Sequence, residues 1–332
     1  MKATCVTSNR TLTVRDVPPP GDPAPEQVVL RMEACAINPG DKFFLSAPPL
    51  RAAPRSQHDV WGASGAGTVV AVGAGVPPAW VGRSVAVYRS LSASEHTLGT
   101  WSELAQLPVR CCALIPDGLA ARDFSGSLVN VITAYAFAKQ AAADGHRGVL
   151  ISAGTSATGT ALVGIARGLG LSTVAVVRDE AGRRKLLELG ADEVLAQGDG
   201  LFESDVQAAT ERLSATAVFD GVGGALLTRL MPRLAQASTV YSYGYLGGHD
   251  VPLQIPTTLM TTKALTLRSF SNFASPTVQD PERLDAALRH AGELFALAHC
   301  KTQLGATYAF EQVEEAMAAL GGGAGKPLLL PA

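Results

Sequence analysis

The chain has 332 residues, of which 47% are hydrophobic and 17% charged. This length exceeds what one hydrophobic core usually organises, so we expect two domains. The 27 lysine and arginine residues nearly balance the 29 aspartate and glutamate residues, so no strong field exists to attract nucleic acid or an anionic membrane. We therefore expect a small-molecule ligand, and neither a nucleic acid nor a membrane as a partner.

The first residues and the cysteines bear on the cellular compartment. The opening MKATCVTSNRTLTV lacks the long apolar run of a signal peptide, and Gly, Pro or charge interrupts every apolar stretch before it could span a bilayer. The five cysteines include no C-x-x-C pair, which argues against a disulfide framework or a zinc ribbon. We expect reduced thiols and a cytoplasmic location.

The segment up to about Pro116 has a β-type pattern. Short runs such as QVVLRMEA, GTVVAV and RSVAVY are separated by turns rich in proline and glycine. This spacing is typical of an irregular β-barrel or sandwich.

From Ala121 onward helical and strand patterns alternate. An Ala-rich helical stretch leads into RGVLIS, a small-residue helix and STVAVV, and the alternation continues through TAVFDGVGG to STVYSYG. The tail has mixed character, with a long helix predicted from about Pro281 to Ala298 and a closing strand GKPLLL. We predict an α/β chain in which residues 123–269 form a doubly wound parallel sheet, and residues 1–122 and 270–332 form the substrate domain.

The turn after the strand VLIS matches a dinucleotide-binding pattern. Gly154, Ser156 and Gly159 fall on the three small positions of G-x-G-x-x-G, at the start of a helix. Such a turn lets backbone amides and the helix N-terminus approach a pyrophosphate. The alternative is a tight turn that packs a helix on a strand without a ligand. The predicted binding residues are Gly154, Thr155, Ser156, Ala157, Thr158 and Gly159.

The residue after the second strand indicates which dinucleotide binds. An NAD site places an acidic residue there for the ribose diol, whereas this strand runs directly into Arg178, which suits a 2′-phosphate. Arg183 is predicted to add charge, as Arg184 and Lys185 could, although these could equally form the solvated face of a helix. Asp179 or Glu180 could instead pair with the diol. The pattern favours NADPH.

The whole chain resembles the medium-chain dehydrogenase/reductase superfamily, specifically its zinc-independent quinone oxidoreductase and enoyl thioester reductase branch. The resemblance is carried by INPGD (37–41), GASGAGTVVAVG (62–73), GTWSELAQLP (99–108), TAYAF (133–137), SAGTSATGTA (152–161), VFDGVGG (218–224) and the final GKPLLL. It implies a Rossmann sheet plus a GroES-like β-barrel, NADPH as cofactor, a hydrophobic small-molecule substrate and a homodimer.

The resemblance also assigns cofactor contacts. Asn38 would contact the nicotinamide ribose, and the backbone at Phe270 and Ser271 would hold the carboxamide. The other implied cofactor residues are Thr133 and Tyr135 along the cofactor, with Gly221, Gly223 and Gly244 at strand ends beneath it.

Zinc-dependent members of the superfamily carry a cysteine where this chain has Asn38. They carry Gly-His-Glu where it has Gly62, Ala63 and Ser64. Both ligand positions lack metal-binding side chains, so no metal site is predicted.

The sequence offers several candidates for the proton donor. Related reductases carry a tyrosine shortly after the N-P-x-D segment, where this chain has Phe43, Phe44 and Pro49, and phenylalanine cannot donate a hydrogen bond. Tyr88, Tyr245, Lys42 or ordered water could substitute. The predicted catalytic residues are Asn38, Asp41, which could hold Asn38 or Lys42 in place, and Tyr88.

Phe43, Phe44 and Tyr245 are predicted to line a hydrophobic substrate pocket, with ordinary core packing as the alternative.

The dinucleotide pattern, together with what the family resemblance implies, leaves three candidate functions. The first is NADPH-dependent hydride transfer to a quinone or an α,β-unsaturated carbonyl compound, without metal. The second is reduction of 2-enoyl thioesters carried by coenzyme A or an acyl carrier protein. The third, from another class, is a regulatory or structural protein that binds NADPH without catalysis.

Overall fold

The structure is a computed structural model that describes residues 1–46, 56–322 and 325–331. It divides into two compact units. Unit 1 comprises Met1–Val129, Leu284–Ala296 and the segment from Cys300 to the C-terminus, and unit 2 comprises Asn130–Arg283 and Leu297–His299. The division assigns both ends of the chain to one unit and the central segment to the other. The predicted domain boundaries at 122/123 and 269/270 stay predictions.

The N-terminal part of unit 1 is predominantly β-structure. Its elements, in chain order, are β1 (Lys2–Val6), β2 (Leu12–Asp16), β3 (Gln27–Ala36), α1 (Pro39–Ser46), β4 (Ser64–Val72), β5 (Ser84–Tyr88), β6 (Leu104–Pro108) and β7 (Cys112–Leu114). The predicted strand pattern is confirmed, but α1 was missed because its eight residues are too few to show a helical period.

Unit 2 is built on a parallel sheet flanked by helices. Its elements continue as α2 (Ser127–Ala143), β8 (Gly148–Ile151), α3 (Ala157–Gly168), β9 (Ser172–Val177), α4 (Glu180–Glu188), β10 (Glu193–Ala196), α5 (Phe202–Arg212), β11 (Ala217–Asp220), α6 (Gly224–Leu230), β12 (Thr239–Ser242), α7 (Thr257–Thr262), β13 (Thr266–Ser269) and α8 (Pro276–Gln279). The remaining elements belong to unit 1, apart from the first three residues of α9. They are α9 (Pro281–Leu294), β14 (Leu304–Ala309), α10 (Val313–Ala319) and β15 (Lys326–Leu330).

The strand order of unit 2 is β10-β9-β8-β11-β12-β13, with every pairing parallel. Strands β8, β9 and β11 are short apolar runs buried along almost their whole length, as expected when helices cover both faces of a sheet. The order reverses at β8, which has β9 on one side and β11 on the other. In such sheets ligands bind beyond the carboxyl ends of the strands at this reversal.

In unit 1 the ten-residue strand β3 organises the main sheet, whose order is β14-β15-β3-β4-β5-β7 with β6 also paired to β3. Its first half pairs with β6, and its last residues pair with the C-terminal strand β15. The pairing of β15 with β3 is antiparallel, with Leu329 opposite Cys35 and Leu328 opposite Ala36. The end of the chain is thereby brought to the segment that follows β3.

The long C-terminal helix is shorter than predicted. It ends at Leu294 rather than near Ala298, because Ala296 donates to the carbonyl of Glu293 in a tighter i→i−3 bond. Phe295, directly after it, is fully buried and packs on Phe124 with ring centroids 4.9 Å apart. Across the described residues, no helix combines the length and the apolar character needed to cross a bilayer.

Candidate cofactor and active site

The turn between β8 and α3 leaves no room for larger side chains. A Cβ at Gly159 would lie 2.3 Å from the carbonyl oxygen of Ala153, and one at Gly154 would lie 3.0 Å from that of Val176. Ser156 caps α3, since its Oγ accepts a 3.0 Å hydrogen bond from the Gly159 amide. Two of the three small positions are therefore required by backbone packing, and the third supplies the helix cap.

Glycines also bring the ends of β11 and β12 together. A Cβ at Gly244 would lie 2.9 Å from the Gly221 carbonyl oxygen, and one at Gly221 would lie 2.6 Å from the Tyr243 hydroxyl. The Tyr243 side chain hydrogen-bonds Ser156, and burial raises the pKa of this tyrosine. Gly221, Gly244 and Ser156 thus meet at one edge of the sheet, at the strand-order reversal. The contact between Tyr243 and Ser156 was not predicted from the sequence.

A buried carboxylate that the sequence reasoning missed holds the same edge. Ser152, the residue directly after β8, donates a hydrogen bond to Asp220 Oδ1 at 2.7 Å. The same carboxylate oxygen accepts from the amides of Val222 and Gly223 at 3.2 and 3.1 Å. The Gly221 amide donates to Ser152 Oγ at 3.0 Å. An acidic residue inside the apolar run AVFD was the available signal, because a fully buried carboxylate needs hydrogen-bond donors.

The cations near the second strand differ in their engagement. Arg178 follows β9 and is exposed, and its side chain forms no ion pair or hydrogen bond with any described residue. The same holds for the side chains of Arg184 and Lys185. Arg183 instead pairs with Glu180 at 2.7 Å and with Asp199, and donates to the Val194 carbonyl at 3.2 Å. Arg178 is therefore available to a ligand, whereas Arg183 already has two carboxylate partners.

Asp179, which could instead pair with a ribose diol, already uses one carboxylate oxygen within the protein. Asp179 caps α4, with Oδ1 accepting a 2.9 Å hydrogen bond from the Gly182 amide. A Cβ at Gly182 would lie 2.9 Å from the Thr155 side chain, so the first turn of α4 adjoins the glycine turn. Arg178 directly precedes the N-cap of α4, so Arg178 and the Gly154–Gly159 turn lie at the same corner of unit 2.

Helix α2 is tied to this corner by another residue not predicted from the sequence. Thr158 donates to Asn130 Oδ1 at 3.0 Å, which fixes the first turn of α3 against α2. Thr133 and Tyr135, both half-buried, lie further along α2, and burial raises the pKa of Tyr135.

An aromatic cluster lies behind the site. Phe219 stacks between Phe137 and Tyr243 with centroid distances of 4.0 and 3.9 Å, and Phe270 packs edge-on against Phe219 at 5.6 Å. The Phe270 amide donates to the Ser242 carbonyl at 2.8 Å. This pairing fixes the chain at Phe270 and Ser271 beside the end of β12.

In unit 1 the predicted residues Asn38 and Asp41 form a buried network at the start of α1. Asp41 Oδ2 accepts from the Asn38 amide at 2.8 Å and from Asn38 Nδ2 at 3.3 Å, while Oδ1 accepts from the Ala63 amide at 3.1 Å. Burial raises the pKa of the Asp41 carboxyl, and the hydrogen bonds from Asn38 oppose this effect. Lys326, which was not predicted, donates to Asn38 Oδ1.

The remaining predicted residues are placed as follows. Tyr88 is buried at the end of β5, opposite Ser64 of β4. Phe43 and Phe44 are half-buried on α1, edge-to-face at 5.5 Å, and Lys42 beside them is exposed. Pro49 lies outside the described residues. Tyr245 belongs to unit 2, is 41% exposed, and packs against His249 with tilted rings whose centroids lie 3.9 Å apart.

The side chains around Asn38 do not suit a metal ion. The amide oxygen of Asn38 faces the ammonium group of Lys326, and a cation repels a second cation there. Ala63 contributes only a backbone amide, which is already bonded to Asp41. Among residues 1–46, 56–322 and 325–331, no group of three or more His, Cys, Asp or Glu side chains could hold a metal.

Comparison with known proteins identifies the family. Residues 24–117 match the alcohol dehydrogenase GroES-like domain, and residues 157–291 match the zinc-binding dehydrogenase family. The mitochondrial enoyl-[acyl-carrier-protein] reductase of Caenorhabditis elegans is 30% identical over 79% of this chain and 72% of its own length. The chain belongs to the medium-chain dehydrogenase/reductase superfamily.

Other members of the superfamily support its zinc-independent quinone oxidoreductase and enoyl reductase branch. A solved mycobacterial quinone oxidoreductase is 25% identical, with both chains covered completely and a TM-score of 0.74. A mycobacterial structure with NADPH bound is also 25% identical over both complete chains, with a TM-score of 0.73. The matched region spans 64% of the length of the rat mitochondrial enoyl-[acyl-carrier-protein] reductase, at 29% identity over 73% of this chain. The predicted superfamily and the Rossmann plus GroES-like fold are confirmed.

Proposed function

We propose that this reductase-family chain binds NADPH and transfers hydride, without a metal, to a quinone or to a carbon–carbon double bond conjugated with a carbonyl group. The proposal depends mainly on the environment of Arg178. Arg178 is an exposed cation without a described partner, next to a glycine turn that has the packing of a dinucleotide site. An arginine fork matches the geometry of a phosphate group, whereas a ribose diol needs an acceptor.

The turn itself fits a pyrophosphate. Gly154 and Gly159 keep the backbone close to the strand ends, and α3 presents its N-terminus there. Gly221 and Gly244 leave the neighbouring strand ends without side chains, as a closely approaching cofactor requires. Arg184 and Lys185 would add charge around the same phosphate.

The chemistry demands little from acid–base side chains. When bound, NADPH supplies the hydride. A conjugated alkene accepts hydride at its β-carbon and a proton at its α-carbon, while a quinone accepts hydride and a proton to become a hydroquinone. The chain must align the acceptor, exclude bulk water and stabilise charge on the carbonyl oxygen. We propose Asn38, Asp41 and Tyr88 as the active-site residues of unit 1. Asn38 would contact the nicotinamide ribose, and Asp41 would hold Asn38 in place.

Two substrate classes each have a supporting observation. The curated relatives act on enoyl groups carried by acyl carrier protein, as their names state, which favours a 2-enoyl thioester. The edge-to-face pair Phe43 and Phe44 favours a flat hydrophobic acceptor such as a quinone.

The test is NADPH consumption by the purified protein, in chelator-treated buffer, against a panel of quinones, enones and 2-enoyl thioesters. We expect turnover with at least one class and none that depends on added zinc. NADPH binding with no turnover across the panel would favour a regulatory or structural protein instead. Activity that appears only with zinc would contradict the proposal.

We also propose a homodimer in the cytoplasm. The edge strand β13 carries four exposed residues, including Leu267 at 40% exposure, and an unpaired strand edge is a template for pairing with a second copy. Light scattering checks this proposal, with a mass of two chains expected. A single-chain mass at micromolar concentration would contradict it.

A further inference from the structure

Lys326 lies 288 residues from Asn38 in the sequence, yet its side chain contacts that residue. It is the first residue of β15, and the register of β15 with β3 places it beside the segment that leads into α1. The Ile37 amide donates to the Pro327 carbonyl at 3.0 Å, which continues this pairing to the residue before Asn38. The sheet therefore fixes where the lysine side chain begins.

The Asn38 amide is held at both of its ends. Lys326 Nζ donates to Asn38 Oδ1, and also to the Gly126 carbonyl at 3.1 Å. Asn38 Nδ2 donates to Asp41 Oδ2 at 3.3 Å. Rotating the amide by 180° would turn its N–H groups toward the ammonium and its oxygen toward the carboxylate, so both contacts would become repulsive. The two charges thus select one amide orientation.

This arrangement is costly as a purely structural device. Asn38 and Asp41 are 8% and 3% exposed, and the lysine stem packs tightly on Gly126, where a Cβ would lie 2.9 Å from Lys326 Cδ. Burial lowers the pKa of Lys326 to about 8, with Asp41 acting in the opposite direction. Buried charges often destabilise a fold relative to apolar residues, so their presence is more readily explained by orientation than by stability.

We propose that Lys326 is a positioning residue for the cofactor site, which fixes the Asn38 amide so that its second N–H is directed to a ligand hydroxyl. This inference rests on the proposed function, because it takes the ligand at Asn38 to be the ribose of NADPH. Lys326 acts through Asn38 and need not touch the cofactor itself.

The experiment is a double-mutant cycle with Asn38→Ala, Lys326→Met and the two combined, with NADPH affinity measured by fluorescence titration. We expect each single variant to weaken NADPH binding about tenfold. Because the lysine has nothing to orient once the amide is gone, the double variant should bind NADPH as Asn38→Ala does. In steady-state kinetics the Lys326→Met variant should show a raised KM for NADPH with a smaller change in kcat.

The matched control is Lys301→Met. Lys301 is an exposed lysine of the same unit that pairs with Asp123 at 3.3 Å. Its loss should leave NADPH affinity within about twofold. If Lys326→Met does not fold, the same cycle with Lys326→Ala, which also removes the donor, applies the same criterion.

The outcomes separate cleanly. Additive losses of about a hundredfold in the double variant, or an unchanged affinity in Lys326→Met, would overturn the inference. Failure of both Lys326 variants to fold would assign the lysine a structural role and overturn it as well. A wild-type protein that binds no NADPH would remove the proposed function instead, which this cycle detects at its first measurement.

Discussion

Arg178 in unit 2 and Lys326 in unit 1 are both cations placed at strand ends, but they are held in opposite ways. Arg178 is exposed and has no partner among the described residues, whereas Lys326 is half-buried and donates to Asn38 and Gly126. An exposed arginine without a partner costs the fold little stability, because water solvates its charge, and its side chain is free to bind a phosphate. A half-buried lysine held by two acceptors must keep those partners, so it serves to orient a neighbour.

We expect the largest loss of NADPH affinity from a change in the glycine turn beside Arg178. Gly159→Ala would place a Cβ 2.3 Å from the Ala153 carbonyl oxygen, so the start of α3 must shift. We expect NADPH affinity to fall by more than about a hundredfold, which corresponds to about 3 kcal/mol. Fluorescence titration measures it.

Gly168→Ala is the matched control for this change. It lies at the end of the same helix, with nothing within 4 Å of an added Cβ, and it should leave NADPH binding unchanged. Equal losses in the two variants would show that helix α3 as a whole, rather than the turn, governs binding.

The next effect tests the exposed cation directly. Arg178→Asp should weaken NADPH binding by about 1.5 to 3 kcal/mol, through the loss of a charge-assisted contact, and leave NADH binding nearly unchanged. The ratio of the two dissociation constants is the measurement. Arg167→Asp, an exposed arginine in the last turn of α3, should leave that ratio as it is in the wild type. An unchanged ratio in Arg178→Asp would place the phosphate elsewhere.

We expect Lys326 to affect the pH dependence of stability. Burial lowers the pKa of Lys326 from 10.5 to about 8, so between these values the unfolded chain binds more protons at this residue than the folded chain. The free energy of unfolding should therefore rise with pH across this window, by about 1 to 3 kcal/mol relative to Lys326→Met. Chemical denaturation at pH 7.5 and pH 10 measures the difference, and parallel pH profiles would contradict it.

The smallest effect is expected at Arg183. This residue was predicted as a phosphate contact, but in the structure it pairs with Glu180 and Asp199. Since those carboxylates already use its donors, Arg183→Ala should weaken NADPH binding by less than about threefold. A loss as large as that of Arg178→Asp would mean that Arg183 exchanges its partners for the cofactor.

The sequence predicts the region around Arg178 better than the region around Lys326, for a physical reason. Strand, turn, helix and the next strand follow one another within about thirty residues in a βαβ unit, so local period and turn residues are sufficient. The contact between Asn38 and Lys326 depends on the register of β15 against β3, which no local pattern contains. A lysine at the start of an apolar closing strand was the one available signal.

The same distinction applies to residues that hold the site indirectly. The acid in AVFD could have indicated the buried Asp220–Ser152 hydrogen bond, because a carboxylate inside an apolar strand must find donors. The hydrogen bond from Thr158 to Asn130 had no such signal, since it depends on how α2 packs against α3. Likewise, the helix predicted to reach Ala298 ends at Leu294 because of a tight final turn that its apolar periodicity does not reveal.

We propose that the corner of unit 2 marked by Arg178 recognises the extra phosphate that distinguishes NADPH from NADH. Its most direct test is a fluorescence titration of the unmodified protein with each of the two dinucleotides at the same ionic strength. We expect NADPH to bind at least about tenfold more tightly than NADH. Equal affinities, or tighter binding of NADH, would contradict the account.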